Sequence, residues 1–166
     1  MNKTKLIWSN RQPPNLKGIL CPSKMCVDNK NDKKAMVTKC QGKKCEVCDL
    51  INPTNKVTFE NGEDYIIKST MNCNSYFVIY VIKCLVCQAC YIGETTDFRD
   101  RANNHKKDIR HDCYRKLPVS KHIFNCSGTT MKFEMMPIYK CRNEDSIERK
   151  TLELTLIKKY KTSLNP

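Results

Sequence analysis

Tyr76-Phe77-Val78-Ile79-Tyr80-Val81-Ile82 is continuously apolar, β-branched and aromatic. Seven residues suit a strand and are too few for a buried helix, and apolarity without alternation implies burial on both faces. The run therefore marks the central strand of a domain. Downstream, a second short strand is expected near Ala89–Ile92. Thr95 or Thr96 then caps a helix running to about Arg110. Pro118 opens another helix through Phe124. Met131–Tyr139 reads as a third strand, and Asp145 with Glu148 forms a capping box for a helix to about Lys161. The order is β-β-α-α-β-α, a small mixed α/β domain.

Upstream the character differs. Residues 1–75 are polar, with prolines at 13, 14, 22 and 53 and an exposed loop expected at Asp28–Lys34. Short strands are expected at Lys56–Phe59 and Tyr65–Lys68. The remainder reads as a loosely structured region stapled by cysteines. The expected division is a Cys-rich region over 1–75 and an α/β domain over 76–166.

The chain of 166 residues carries 30 Lys+Arg against 17 Asp+Glu, a formal charge of +13. Such a chain attracts polyanions, nucleic acid above all, although a lysine-rich composition alone also gives this charge. The first ten residues lack the apolar core of a signal peptide, and no apolar run spans a bilayer. An intracellular, reducing compartment is expected. There the 12 cysteines point to zinc rather than disulfides.

Helical periodicity exposes three misplaced polar groups. On the helix before Arg110, Phe98, Ala102 and Ile109 form an apolar stripe that also holds Arg101 and His105, one turn apart. An arginine at a stripe's edge can simply snorkel. On the last helix, Glu153 falls among Leu152, Leu154, Leu156, Ile157 and Tyr160. A carboxylate there needs a cation, a proton or a metal, since leaving it charged and alone costs several kcal/mol. Pairing with Lys150 is the plain alternative. Three inward polar groups in one small domain favour a site.

Val78-Ile79-Tyr80 is followed by Tyr91-Ile92-Gly93, then Arg101, His105, the helical Glu153, and Asn165 within Ser-Leu-Asn-Pro. Across residues 76–165 this resembles the GIY-YIG nuclease family. The segment YIGETTDFRDRANNHKKDI looks like the endonuclease domain of Penelope-like retroelements, and upstream RQPPNLKGIL and KCQGKKCEVCDLI look like the region preceding that domain. Val78 stands where the family name has Gly. The resemblance implies a central three-stranded antiparallel sheet flanked by helices, and phosphodiester hydrolysis. It implies that Tyr80 or Tyr91 is the general base or positions the water; the sequence does not choose. It implies that Arg101 braces phosphorane charge, that Glu153 holds one Mg²⁺ or Mn²⁺, that His105 contacts phosphate or water, and that Asn165 steadies the phosphate. Its partners would be DNA, with element RNA or a reverse transcriptase supplied elsewhere, in the nucleus. No membrane is expected.

Cys84-x2-Cys87 and His122-x3-Cys126 have zinc-ligand spacing and together make a closed structural set. Penelope-type nucleases are similar here, with Cys126 standing where many have His. Cys90 competes as a ligand, and buried free thiols are the alternative. Cys40, Cys45, Cys48 and Cys73 are spaced for a second zinc site, Cys21 and Cys26 form a looser pair, and Cys113 and Cys141 have no evident role. Two other functions fit charge and cysteines: a zinc-stabilised nucleic-acid-binding module without catalysis, and a secreted disulfide protein.

Overall fold

The structure, a computed structural model, describes residues 35–42, 44–111, 117–142 and 144–165. Its strands are β1 (Lys56–Thr58), β2 (Asp64–Ile66), β3 (Tyr76–Cys84), β4 (Cys90–Asp97) and β5 (Phe133–Lys140). Its α-helices are α1 (Phe98–Arg110), α2 (Pro118–Ser127) and α3 (Ser146–Tyr160). β1 and β2 form a hairpin, and the main sheet is antiparallel in the order β4-β3-β5. The apolar run is its middle strand, with Val78–Ile82 wholly buried, because both its edges are paired and both its faces are covered.

Several boundaries move; α2, for one, runs on to Ser127 rather than ending at Phe124. β4 continues past Ile92 to Asp97, since Thr95 still pairs with Val78 and Asp97 with Tyr76. The helix cap is therefore Asp97, not Thr95 or Thr96; its side chain accepts from the Asp100 N–H at 3.1 Å, and a carboxylate is as good a cap as a hydroxyl. On α3, Asp145 caps as expected, accepting from the Ile147 N–H at 2.8 Å. Ile147 and Leu154, however, are exposed. The inner face of α3 is Arg149, Glu153, Leu156 and Tyr160, a helical i, i+4, i+7, i+11 series in which Arg149, Leu156 and Tyr160 are buried and Glu153 half-buried.

Residues 35–75, expected to be loose, add Val37, Val47, Ile51, Val57, Phe59 and Met71 to the same buried cluster as the sheet. Phe59 stacks on Tyr160 with ring centroids 4.0 Å apart, joining the hairpin to the end of α3. The Asp28–Lys34 loop, RQPPNLKGIL, Cys21, Cys26 and Cys113 lie outside the described residues. Among the described residues no helix is long and apolar enough to cross a membrane.

Candidate active site

Tyr80 pairs with Gly93, and Ile82 with Tyr91, across the β3–β4 ladder. Paired residues share a face, as do residues two apart on one strand. Tyr80, Gly93 and Tyr91 therefore lie on one side of the sheet. The Tyr80 and Tyr91 ring centroids are 6.3 Å apart. Gly93 is what permits this. A Cβ there would stand 2.5 Å from the Tyr80 hydroxyl oxygen and 2.9 Å from Tyr91 Cε1. The Tyr80 ring also meets Phe98 and His105 edge-on, so it has nowhere to retreat. Gly93→Ala is expected to lower the melting temperature by several degrees, in line with overpacking costs of about 1–3 kcal/mol. Thermal melts check this, and a variant with the wild-type melting temperature would show that the contact is not tight.

Helix α1 places Arg101 and His105 over this pair of tyrosines. Arg101 donates from Nε to the Tyr80 hydroxyl at 2.9 Å, and the same hydroxyl lies 3.0 Å from His105 Nε2. Tyr80 is 0% exposed and His105 1% exposed. Burial pulls the His105 pKa down to about 3, helped by the Arg101 charge, so the imidazole is neutral at physiological pH. Burial likewise pushes the Tyr80 phenol up, opposed by Arg101, so Tyr80 stays protonated. Its hydroxyl thus accepts from Arg101 and shares a proton with neutral His105. Tyr91 is only partly buried; burial raises its pKa as well, and Arg101 opposes the rise.

Glu153 reaches the site from α3. Its carboxyl is half-buried and held above the usual carboxylate range, first by burial and then by the Glu94 carboxylate; the Glu94 backbone N–H and Arg101 pull the other way. Its charge is also felt by Tyr80 and Tyr91. Arg101 and Glu153 therefore lie near enough to feel each other's charge. Lys150 contributes only the weakest of the influences on Glu153, and no cation lies within ion-pair distance of it among the described residues. A half-buried carboxylate without an ion-pair partner is a fitting ligand for a divalent cation.

His105 and Asn165 each bond to protein groups. His105 is buried, lies 3.0 Å from the Tyr80 hydroxyl through Nε2, and meets the Tyr91 ring edge-on at 6.2 Å. Asn165 accepts from the Ile92 N–H and donates to the Ile92 carbonyl, both at 2.8 Å, and it also accepts from the Thr162 hydroxyl. Leu164 N–H donates to the Cys90 carbonyl. The C-terminal segment thus covers the outer edge of β4, and Asn165 acts as a brace on the strand that carries Tyr91 and Gly93.

Glu94 and Arg149 were not singled out from sequence. Arg149, 4% exposed, donates from Nε to Glu94 at 3.0 Å, from Nη1 to the Glu144 carbonyl, and lies over the Phe77 ring. It ties α3 to β4 one turn before Glu153. The i, i+4 spacing of Arg149 and Glu153 was the available signal.

Two cysteine groups complete the geometry. Cys40, Cys45, Cys48 and Cys73 bring their sulfurs together, as do Cys84, Cys87 and Cys126 with a His122 ring nitrogen; within each group all four atoms lie within 4.8 Å of one another. In the first, Sγ–Sγ separations are 3.4, 3.5 and 3.6 Å for Cys48–Cys40, Cys45–Cys73 and Cys48–Cys73. Four thiolates about 2.3 Å from a tetrahedral zinc would be about 3.8 Å apart, whereas a disulfide needs about 2.05 Å. All nine described cysteines are free. In the second group, His122 Nε2 is 3.0 Å from Cys87 Sγ and 3.4 Å from Cys126 Sγ. Both sets fit zinc. Cys90 is not in the cluster; its thiol turns to the Gln88 carbonyl. Cys141 is buried outside both groups.

The sequence profile of the GIY-YIG catalytic domain matches residues 76–165. No curated protein and no solved structure matches.

Proposed function

The chain belongs to the GIY-YIG family, and from that premise we propose that it is a metal-dependent endonuclease that hydrolyses DNA phosphodiesters. A nuclease domain takes nucleic acid as substrate. The observation that carries the finer reading is the meeting of Tyr80, Tyr91, Arg101 and Glu153 from two strands and two helices. A binding module has no need to pack a half-buried arginine against a buried tyrosine, nor to keep a half-buried carboxylate that has no ion pair among the described residues.

Each residue then has a task. Glu153 would hold Mg²⁺ or Mn²⁺; such an ion, when bound, offsets phosphate charge and acidifies water. Arg101 spends Nε on Tyr80, which leaves its outer nitrogens to brace the charge that builds on the phosphate. Tyr80 is enclosed and protonated, so it positions Arg101 and does not abstract a proton. Tyr91 is the more accessible hydroxyl, and we assign it the contact with the attacking water. His105 holds Tyr80, and Asn165 holds β4. The cysteine groups would bind structural zinc.

The likeness of YIGETTDFRDRANNHKKDI and KCQGKKCEVCDLI to Penelope-like retroelements supports an origin in such an element. A nick would then supply a 3′-hydroxyl for copying, with element RNA or a reverse transcriptase as further partners and the nucleus as the compartment.

Supercoiled plasmid with Mg²⁺ or Mn²⁺ tests this reading. Wild type is expected to relax it by nicking, and Glu153→Gln to reduce the rate by about 10² or more. No nicking above the Glu153→Gln level would leave a zinc-stabilised binder without catalysis.

A further inference from the structure

Helix α1 has a second charged flank, opposite Arg101. Asn103, Lys106, Lys107 and Arg110 face the 3₁₀ turn Glu46–Leu50 across a groove of about 400 Å³. Lys44, just before that turn, lines the groove as well. The space would hold roughly a dozen waters, enough for a hydrated phosphodiester group.

The groove gathers cations with too few anions. Lys106 pairs with Glu46 at 2.9 Å. Arg99 turns to the sulfurs of Cys40 and Cys73, at 3.7 and 3.6 Å. Glu46 is the one carboxylate of the lining, and Lys106 already occupies it. Among the described residues no carboxylate lies within ion-pair distance of Lys44, Lys107 or Arg110. Like charges brought into one concavity from segments some sixty residues apart repel each other, and a bound anion removes that repulsion.

We propose that this groove holds a backbone phosphate of the substrate, away from the phosphate that is cut. Resting on the nuclease reading above, it makes α1 a two-sided helix. Arg101 serves the reacting phosphate on one flank, while Lys44, Lys107 and Arg110 grip a distal phosphate on the other. The flanks are separated by about the width of a helix, ~10 Å, so one phosphate cannot satisfy both but two phosphates of one duplex can. The grip carries no sequence information and fixes register alone. The turn that walls the groove starts immediately after Cys45 and contains Cys48, so the first cysteine group also shapes this surface.

The test is the salt dependence of binding to a labelled duplex between 50 and 200 mM salt, by fluorescence anisotropy. It uses the full chain carrying Glu153→Gln, so that the duplex survives. Adding Lys107→Gln and Arg110→Gln is expected to reduce the log–log salt slope by about 2 and to weaken binding at least ~10-fold. The charge-matched control Lys121→Gln with Lys158→Gln, both exposed and on other helices, should leave the slope near wild type. Equal losses from both pairs, or no loss from the groove pair, would overturn the proposal. So would polyglutamate of matched charge competing as well as unlabelled duplex. If wild type fails to nick plasmid yet the groove pair alone alters the slope, the catalytic reading falls and the groove stands.

Discussion

Arg101→Ala is expected to slow plasmid nicking by about 10²–10³, equivalent to about 2.7–4 kcal/mol of transition-state stabilisation. Its guanidinium is bonded to Tyr80 through Nε and faces Tyr91 and Glu153. The Tyr80 bond fixes the plane of the fork, so the remaining N–H groups are aimed before substrate arrives. A preorganised donor of this kind contributes far more to the transition state than one that must be ordered during the reaction. Arg101→Lys should recover little. An ammonium on a flexible stem has no second edge with which to bond Tyr80 and phosphate in a fixed plane. Stability should fall much less than activity, because Tyr80 keeps its contact with His105 at 3.0 Å. Nicking rates and melting curves on the same preparations separate these effects. Full activity in Arg101→Ala would remove this residue from the chemistry. A collapse of the melting curve equal to the loss of rate would make its role structural.

The legible parts of this molecule were those in which one residue type is costly anywhere but in one place. The YFVIYVI run tolerates only a doubly covered strand, so the central strand followed from it, while the three-stranded sheet was implied by the family resemblance. Arg101, His105 and Glu153 were conspicuous because each interrupts an apolar helical stripe. Cysteine and histidine spacing defined both clusters, because four soft ligands within a few ångströms need short loops at each pair. What stayed hidden depended on partners distant in sequence. Arg149 reads as an ordinary surface cation until Glu94 is placed beside it, 55 residues earlier in the chain. Asn165 carries no sign that its amide will be taken up by the backbone of Ile92. The apolar residues between Val37 and Met71 are scattered through polar sequence with no period, yet they pack on the sheet. Leu154 erred the other way; its apolar type placed it inward, and it is exposed, while Arg149 is buried on the inner face of α3.

Cys73→Ser is expected to release one zinc per chain and lower the melting temperature by about 10 °C or more. The reason lies in what the first cysteine group connects. Cys40, Cys45 and Cys48 belong to the segment that supplies Val37, Val47 and Ile51 to the core, and Cys73 stands just before β3. Four thiolates on one zinc carry a net charge of −2, and the Arg99 N–H groups directed at Cys40 and Cys73 sulfurs offset part of it. Arg99 lies in the first turn of α1, two residues before Arg101, so this group also touches the start of α1. A serine oxygen is a poor substitute for a thiolate on zinc. Structural zinc contributes on the order of 10 kcal/mol in small domains, and losing even ~3 kcal/mol lowers the melting temperature of a chain this size by about 6–12 °C. The second group differs in what it joins: Cys84 ends β3, Cys87 lies in the β3–β4 turn, and His122 and Cys126 occupy one face of α2. Cys126→Ser should therefore release a zinc as well, but loosen α2 and leave Arg99 and the start of α1 in place. Metal content by mass spectrometry under native conditions, with melts of wild type and both variants, checks the pair. Two zinc ions in wild type and one in each variant is the expected count. A wild-type protein that carries no zinc, and melts unchanged as Cys73→Ser, would show that these sulfurs pack as plain thiols.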